Sequence, residues 1–382
     1  MSTVHLTYAD ALSTYFSWRT EGSEEVRTAR LRPEQGSAVR DSFARSLPDA
    51  SPGETQAEAL RRTFHDGAFR SPEDTWTYFT QLSQLLLPPD LVRMFHHTRR
   101  RELVIRPSPS LAQVPWALLP TGPQGRPLGE VADVRLAVPD SVVALAAASP
   151  AGGPDASHTE ELMVIDPKIP GQSPTGPLGS VLGRPTPEDA LATLLRPTTV
   201  PPAATYPELA RPTLGRAEFL SLSARARSLL FVGHVSAAGV ETASAESSTL
   251  HLAEPVSAGD LLRAGWQAPP RVGLLGCGSG SDLRYPEPFG LASTAVACGA
   301  GTVIASLWTL PTDAALEVPD PEVQPLRELI LATDRALRAE DPVRTLLDWQ
   351  LAKARAWYDQ GRPGDNPAWW AAPALWRLGG RG

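Results

Sequence analysis

Hydrophobic patterning changes character along the chain. Up to about residue 70, apolar residues are scattered among charges at helical spacings, as in the runs 38–47 and 54–65, with Pro and Gly between them. This part predicts a small helical cap. A firmer helix begins at Ser71-Pro72-Glu73-Asp74, where serine caps, proline suits the first turn and two acids face the positive end of the helix dipole. It runs to Leu87 before Pro88-Pro89, and a shorter helical stretch follows to about Arg99.

From residue 103 the pattern shifts to short, unbroken apolar runs: Leu103-Val104-Ile105, then 134–138, 162–165, 229–233, 272–276 and 302–307. Such runs are expected of parallel strands buried on both faces. Helical stretches separate them at 141–148, 187–195 behind Thr186, 216–227, 258–264 and 289–298, and a final pair covers 321–339 and 341–359. Strand and helix alternate, which predicts an α/β sheet. Residues 167–215 are dense in Pro, Gly, Ser and Thr; apart from the short helix they are expected to form an exposed loop, the place for autocleavage or lid movement. Residues 289–308 carry no charge over a membrane-spanning length. Their glycines at 290, 299 and 301, and the β-branched run after Gly301, read instead as a helix followed by a strand.

A length of 382 residues allows two or three domains with a sizeable core. The boundary is expected near residue 74, with the helical region at 1–74 and the main domain at 75–382. Lys and Arg number 35 against 42 Asp and Glu, so a net charge of −7 leaves no electrostatic footprint for nucleic acid or an anionic membrane. The 39 prolines and 30 glycines demand irregular segments inside a globular composition. Two cysteines, with no C-x-x-C pair and no His/Cys cluster of zinc spacing, make neither a disulfide scaffold nor a metal centre. The start of the chain lacks a basic stretch followed by an apolar one, so the expected location is the cytoplasm.

Two of the predicted strands end on reactive side chains. The run 228–234 stops at His234, and the run 271–277 stops at Cys277. In an open parallel sheet, sites form at the carboxyl ends of strands, so neighbouring strands would bring imidazole and thiol to one edge. A thiol becomes a useful nucleophile near neutral pH when an imidazole takes its proton, and the same imidazole can return that proton to a leaving amine. Gly278 and Gly280 would let backbone N–H groups turn toward a bound carbonyl oxygen. Taken singly, a cysteine or histidine at a strand end is as readily a core group or a structural hydrogen-bonder.

The segment 103–120, LVIRPSPSLAQVPWALLP, resembles the opening of the CHAT family, caspase-like proteases related to separase, with Leu111, Pro115, Trp116 and Leu119 at its characteristic positions. The similarity continues through FVGH at 231–234, SSTLHL at 247–252, LLGCGSG at 274–280, the stretch 289–308 followed by Asp313, a helix with Trp349-Gln350, and the tryptophan-containing ending at 366–379. It spans about residues 75–380. The resemblance implies an α/β, caspase-like, mostly parallel sheet flanked by helices behind the small N-terminal cap. It further implies a cysteine endopeptidase with His234 as general base and Cys277 as nucleophile, an acyl-enzyme intermediate, and no metal or organic cofactor. A protein substrate, an activating sensor or regulatory protein, and a role in a bacterial stress or antiviral defence system belong to the same expectation.

Oxyanion contacts are expected from the backbone at Val235 and Gly278. The family carries glycine where this chain has Val235, and a β-branched residue does not readily take positive φ. In separase-like relatives acidic groups near the site select basic substrate side chains; Asp313 lies where the resemblance would put such a group, and Asp282 and Glu287, on the loop after Cys277, are secondary candidates. Asp313 can equally cap the following helix. Two other classes share the same residues. One is a catalytically inactive scaffold, favoured by Val235; the other is an S-adenosylmethionine-dependent methyltransferase, suggested by the glycines at 276, 278 and 280 but lacking an acid at the end of the next strand.

Overall fold

The protein is described by a computed structural model over residues 3–96, 100–122, 125–148, 158–236, 245–285, 289–316 and 323–377. Its first elements are strands, which corrects the helical reading of the N-terminal region. β1 (Thr3–Asp10) buries Val4, Leu6 and Tyr8 in alternation with polar neighbours, and β2 (Thr14–Thr20) does the same with Phe16 and Trp18. Period two is the signature of a pleated strand with one buried face. β3 (Arg27–Leu31) completes an antiparallel meander, and helices follow only at Pro33–Ser46, Gln56–Arg61 and Pro72–Leu86. The last of these starts as the sequence predicts: the Ser71 hydroxyl accepts the Asp74 N–H at 3.1 Å and Pro72 occupies the first turn.

The meander joins the main sheet because β1 lies parallel to β4 (Arg101–Arg106), with Val4 opposite Leu103. Beyond β4 come β5 (Ala132–Leu136), β6 (Glu160–Ile165), β7 (Thr199–Val200) and β8 (Ala226–Val232). A small antiparallel sheet follows, made of β9 (Val235–Ser236), β10 (Thr249–Leu250) and β11 (Val256–Ser257). The chain then returns to the main sheet through β12 (Arg271–Leu275), β13 (Thr302–Ser306) and β14 (Pro373–Arg377). The eleven-stranded order is β3-β2-β1-β4-β5-β14-β13-β12-β8-β6-β7.

Flanking helices cover this sheet: Pro325–Arg338 packs on β8 and β12, Pro342–Gln360 on β5, and Leu291–Ala297 on β13. Trp308, Trp369, Trp370 and Trp376 are fully buried, so the tryptophan-rich ending is core. Each such side chain contributes roughly 1.5–3 kcal/mol or more in transfer free energy. The uncharged stretch 289–308 is the helix Leu291–Ala297 and β13, and no helix among the described residues is long and apolar enough to cross a membrane.

Residues 167–215 are not an exposed loop. Leu182, Leu191, Leu194, Tyr206 and Leu209 are buried, β7 extends the sheet, and a 3-10 turn replaces the expected helix over Ala190–Leu194. Apolar anchors spaced through a Pro- and Gly-rich segment were enough to bind it to the body.

Candidate active site

β8 and β12 lie side by side and parallel, Val232 opposite Leu275, and the Gly233 N–H continues the ladder to the Leu275 carbonyl at 3.1 Å. Both strands stop there, so the residues that follow them, His234 on one and Cys277 on the other, leave the sheet at the same edge. The strand ends approach so closely that a Cβ on Gly276 would run into the Val235 side chain and lie 2.7 Å from the Gly233 carbonyl. Glycine at 276 is therefore a packing requirement. At Gly280 a Cβ would meet the Trp376 ring. These glycines are filled by the protein's own side chains and leave no cradle for a nucleotide cofactor, which removes the methyltransferase alternative.

The His234 Nε2 stands 2.8 Å from the Gly179 carbonyl. A carbonyl oxygen can only accept, so Nε2 carries a proton, and in the neutral ring the lone pair is on Nδ1. Gly179 itself sits in a turn where a Cβ would overlap the Pro174 carbonyl. The next residues hold that turn in place: the Ser180 hydroxyl and the Val181 N–H, the latter at 3.0 Å, donate to the Asp166 carboxylate, which also pairs with Arg211 at 3.1 Å. Asp166 follows β6 directly and has φ +50°, a region that non-glycine residues seldom occupy. The carbonyl that fixes the imidazole is thus tied to the end of the adjacent strand.

His251, whose alternation with Leu250 and Leu252 suggests a solvent-facing side chain, is half-buried. Its N–H donates to the His234 carbonyl at 3.1 Å and its Nε2 lies 2.7 Å from the Ser236 hydroxyl. Burial, with the nearby His234 adding to it, keeps its imidazole below the usual histidine range.

Cys277 is partly exposed. Burial of the sulfur pushes the thiol up, opposed by the Leu310 N–H, and Asp49 pushes it further; the Cys277 N–H and the Thr309 hydroxyl act in the other direction. The net position is above an ordinary thiol, so the group needs a base to ionise near pH 7.

The backbone donors divide. Val235 pairs with Leu250, and because the adjoining ladder bond runs from His251 N–H to His234 C=O, Val235 is at a non-hydrogen-bonded position with its own N–H turned off the outer edge of β9. Its backbone is extended and requires no positive φ. The Cys277 N–H has no main-chain acceptor among the described residues. Gly278, with φ +61°, instead gives its N–H to the Trp308 carbonyl at 3.2 Å, so the expected oxyanion donor there is already committed.

The acidic candidates are likewise placed by their partners. Asp282 is fully buried and accepts the Ser293 N–H at 2.6 Å, in the first turn of the helix Leu291–Ala297. Desolvation drives its carboxyl up to about 7 against the pull of that N–H. Asp313 accepts the Leu326 N–H at 2.7 Å and pairs with Arg327 at 2.5 Å, which Asp189 also holds at 3.0 Å. Asp313 thus serves the helix Pro325–Arg338, and an internal guanidinium already faces it. Glu287 lies outside the described residues.

Asp282 carries a stability prediction. Its folded-state value is raised, so its contribution is fully present below the unfolded value near 4 and is lost as pH rises toward 7. Asp282→Asn keeps the acceptor for Ser293 and cannot ionise. It is expected to exceed the wild type in urea-unfolding free energy at pH 8, by on the order of a few kcal/mol, with the gap closing toward pH 4. Equal differences at both pH values would refute a buried, reluctant carboxyl.

Asp49, Asp166, Gly179 and His251 are the parts of this site that sequence reasoning missed. Only Asp166 had a readable signal, as the polar residue ending the apolar run 162–165 on a third strand.

The family model for the CHAT domain matches residues 77–377. Among solved structures, the chain is similar to separase of Saccharomyces cerevisiae in its complex with securin, in crystal structures at 3.0 and 2.6 angstrom resolution. Each likeness has a TM-score of 0.51 and 12% sequence identity, and covers 98% of this chain and 30% of the separase chain. It is a likeness of fold. No curated protein matches the chain.

Proposed function

As the chain belongs to the CHAT family of caspase-like proteins, we propose that it is a cysteine endopeptidase acting through a His234–Cys277 dyad. The observation that carries this reading is the pair of neighbouring strand ends, with the imidazole fixed by the Gly179 carbonyl so that Nδ1 is the free base. In the proposed reaction Nδ1 takes the thiol proton, and the thiolate attacks the scissile carbonyl carbon. The resulting oxyanion meets the N–H groups of Cys277 and Val235. Collapse breaks the C–N bond, the imidazolium returns its proton to the leaving amine, and a thioester remains on Cys277. Water, deprotonated by the same Nδ1, attacks the thioester; the acid product leaves and the thiol regains its proton. The substrate is a polypeptide. The family resemblance supports a regulating protein partner and a role in a bacterial stress or defence system.

The test is digestion of a proteome-derived peptide library by the wild type and by Cys277→Ala, read by mass spectrometry. New termini are expected with the wild type alone, and their sequences report the preferred side chain. Equal cutting by both proteins would remove Cys277 from the mechanism. Intact peptides from both, with Cys277 and Cys298 alkylated at equal rates, would favour the non-catalytic scaffold.

A further inference from the structure

The segment 47–56 precedes the residues that match the family, yet it reaches the surroundings of the thiol. Its turn is framed by Arg62, whose guanidinium donates to the carbonyls of Leu47 and Asp49, each at 3.0 Å, and pairs with Glu54 at 2.9 Å. The Gln56 amide adds a bond to the Pro48 carbonyl at 2.7 Å. Held this way, the Asp49 carboxylate accepts the Thr309 N–H at 2.8 Å and the Gln113 Nε2 at 2.5 Å, with Arg284 at 3.8 Å. Gln113 is buried and also donates to the Leu307 carbonyl at 3.2 Å.

The Gly278 N–H reaches the Trp308 carbonyl at 3.2 Å, which sets Thr309 and Leu310 beside Cys277, where the Thr309 hydroxyl and the Leu310 N–H favour the thiolate. The Asp49 carboxylate therefore grips, through the Thr309 N–H, a residue that stands beside Cys277. We propose that Asp49 is a positioning residue of the site, holding Thr309 and Leu310 against the Cys277 thiol, so that the N-terminal segment is a working part of the active centre.

Two consequences of opposite sign follow. The grip favours the thiolate by keeping its two donors in place, whereas the carboxylate charge itself disfavours a second negative charge nearby. Among the described residues, the other charged or titratable groups around the pair are Arg62 with its partner Glu54 at the Asp49 turn, Arg284, Tyr285 and the buried Asp282 on the loop after Cys277, and His234 at the end of the neighbouring strand. A residue that merely pinned the turn would alter stability and leave the thiol's titration unmoved. The inference rests on Cys277 being the reactive group of the proposed protease, but its test needs no cleavage.

The test is the rate of iodoacetamide modification of Cys277 against pH, read by peptide mass, with Cys298 as internal reference for unfolding. Asp49→Asn keeps an oxygen for the Thr309 N–H and removes the charge. Its profile is expected to move to lower pH, with modification about threefold faster at pH 7. Asp49→Ala removes both, so its midpoint is expected above that of Asp49→Asn. Should the alanine variant unfold, Asp49→Glu retains the charge while displacing the acceptor, and its midpoint is expected above the wild type's. Coincidence of Asp49→Ala with Asp49→Asn would overturn the proposal, as would a wild-type midpoint for Asp49→Glu. A shifted profile in a protein that cuts no peptide would sink the protease reading and leave the role of Asp49 standing.

Discussion

A His234→Ala variant is expected to cleave the wild type's preferred peptides about 10²–10⁴-fold more slowly at pH 7, the usual contribution of a positioned general base. The argument rests on the thiol. Burial holds Cys277 above the ordinary thiol range, so at neutral pH little thiolate forms unaided. In the proposed reaction Nδ1 takes that proton, because Nε2 is already committed to the Gly179 carbonyl. Without the imidazole, ionisation depends on bulk pH alone. The residual activity of His234→Ala is therefore expected to climb steadily through pH 8 and 9, where the wild type has levelled off. The measurement is kcat/KM against pH for both proteins on one peptide. Parallel profiles, or a loss of less than about threefold, would mean that His234 is not the base.

His234 and Cys277 could be picked out in the sequence because two buried strands stop on them. A run such as 228–233 can only be a covered strand, and the residue that ends it must stand at the sheet edge. The parallel strands β4, β6, β8, β12 and β13 were all marked by such runs, with ends that differ by one to three residues in the structure. β1 and β2 were hidden for the opposite reason. Half of each strand is polar, the turn between them at Ala11-Leu12-Ser13 has no Gly, Pro or Asn, and the alternation at Val4, Leu6 and Tyr8 is easily passed over beside charged residues. β14 begins at a proline and looked like a tail; it lies inside the sheet, antiparallel to β13.

The missing parts of the site have a different cause. Gly179 meets His234 through its main chain, and a carbonyl leaves no trace in side-chain identity. Asp49 reaches Thr309 only after the N-terminal segment has packed, and a lone acid in a Pro- and Gly-flanked turn reads as solvated surface. The partners of Asp282 and Asp313 were hidden for a related reason. Sequence places an acid near a loop but cannot say whether a helix N-terminus or an internal arginine has already taken it.

The largest stability effect is expected far from the dyad, at Arg196. Its guanidinium bridges β6 and the helix Pro325–Arg338, pairing with Glu161 at 2.6 Å and with Asp334 at 2.7 Å, and both carboxylates are almost wholly buried. Arg227 also pairs with Glu161, and Arg338 with Asp334, but both of these arginines lie nearer the surface. Burial alone would raise the Glu161 carboxyl; Arg227 and Arg196 outweigh it and hold the group below the usual carboxylate range. Arg196→Met keeps the length and removes the charge and five donors. Two buried carboxylates then rely on partners that water screens, and the expected loss is about 3–5 kcal/mol, the cost of breaking a buried pair from one side. Because the folded value of Glu161 is depressed, its contribution is present above the unfolded value and disappears as pH falls through the folded one. The deficit of Arg196→Met should therefore be large at pH 7 and shrink on acidification toward pH 3. Urea unfolding at both pH values with an unchanged m-value is the check, and a loss below about 1 kcal/mol at pH 7 would show that Arg227 and Arg338 suffice to hold the two acids.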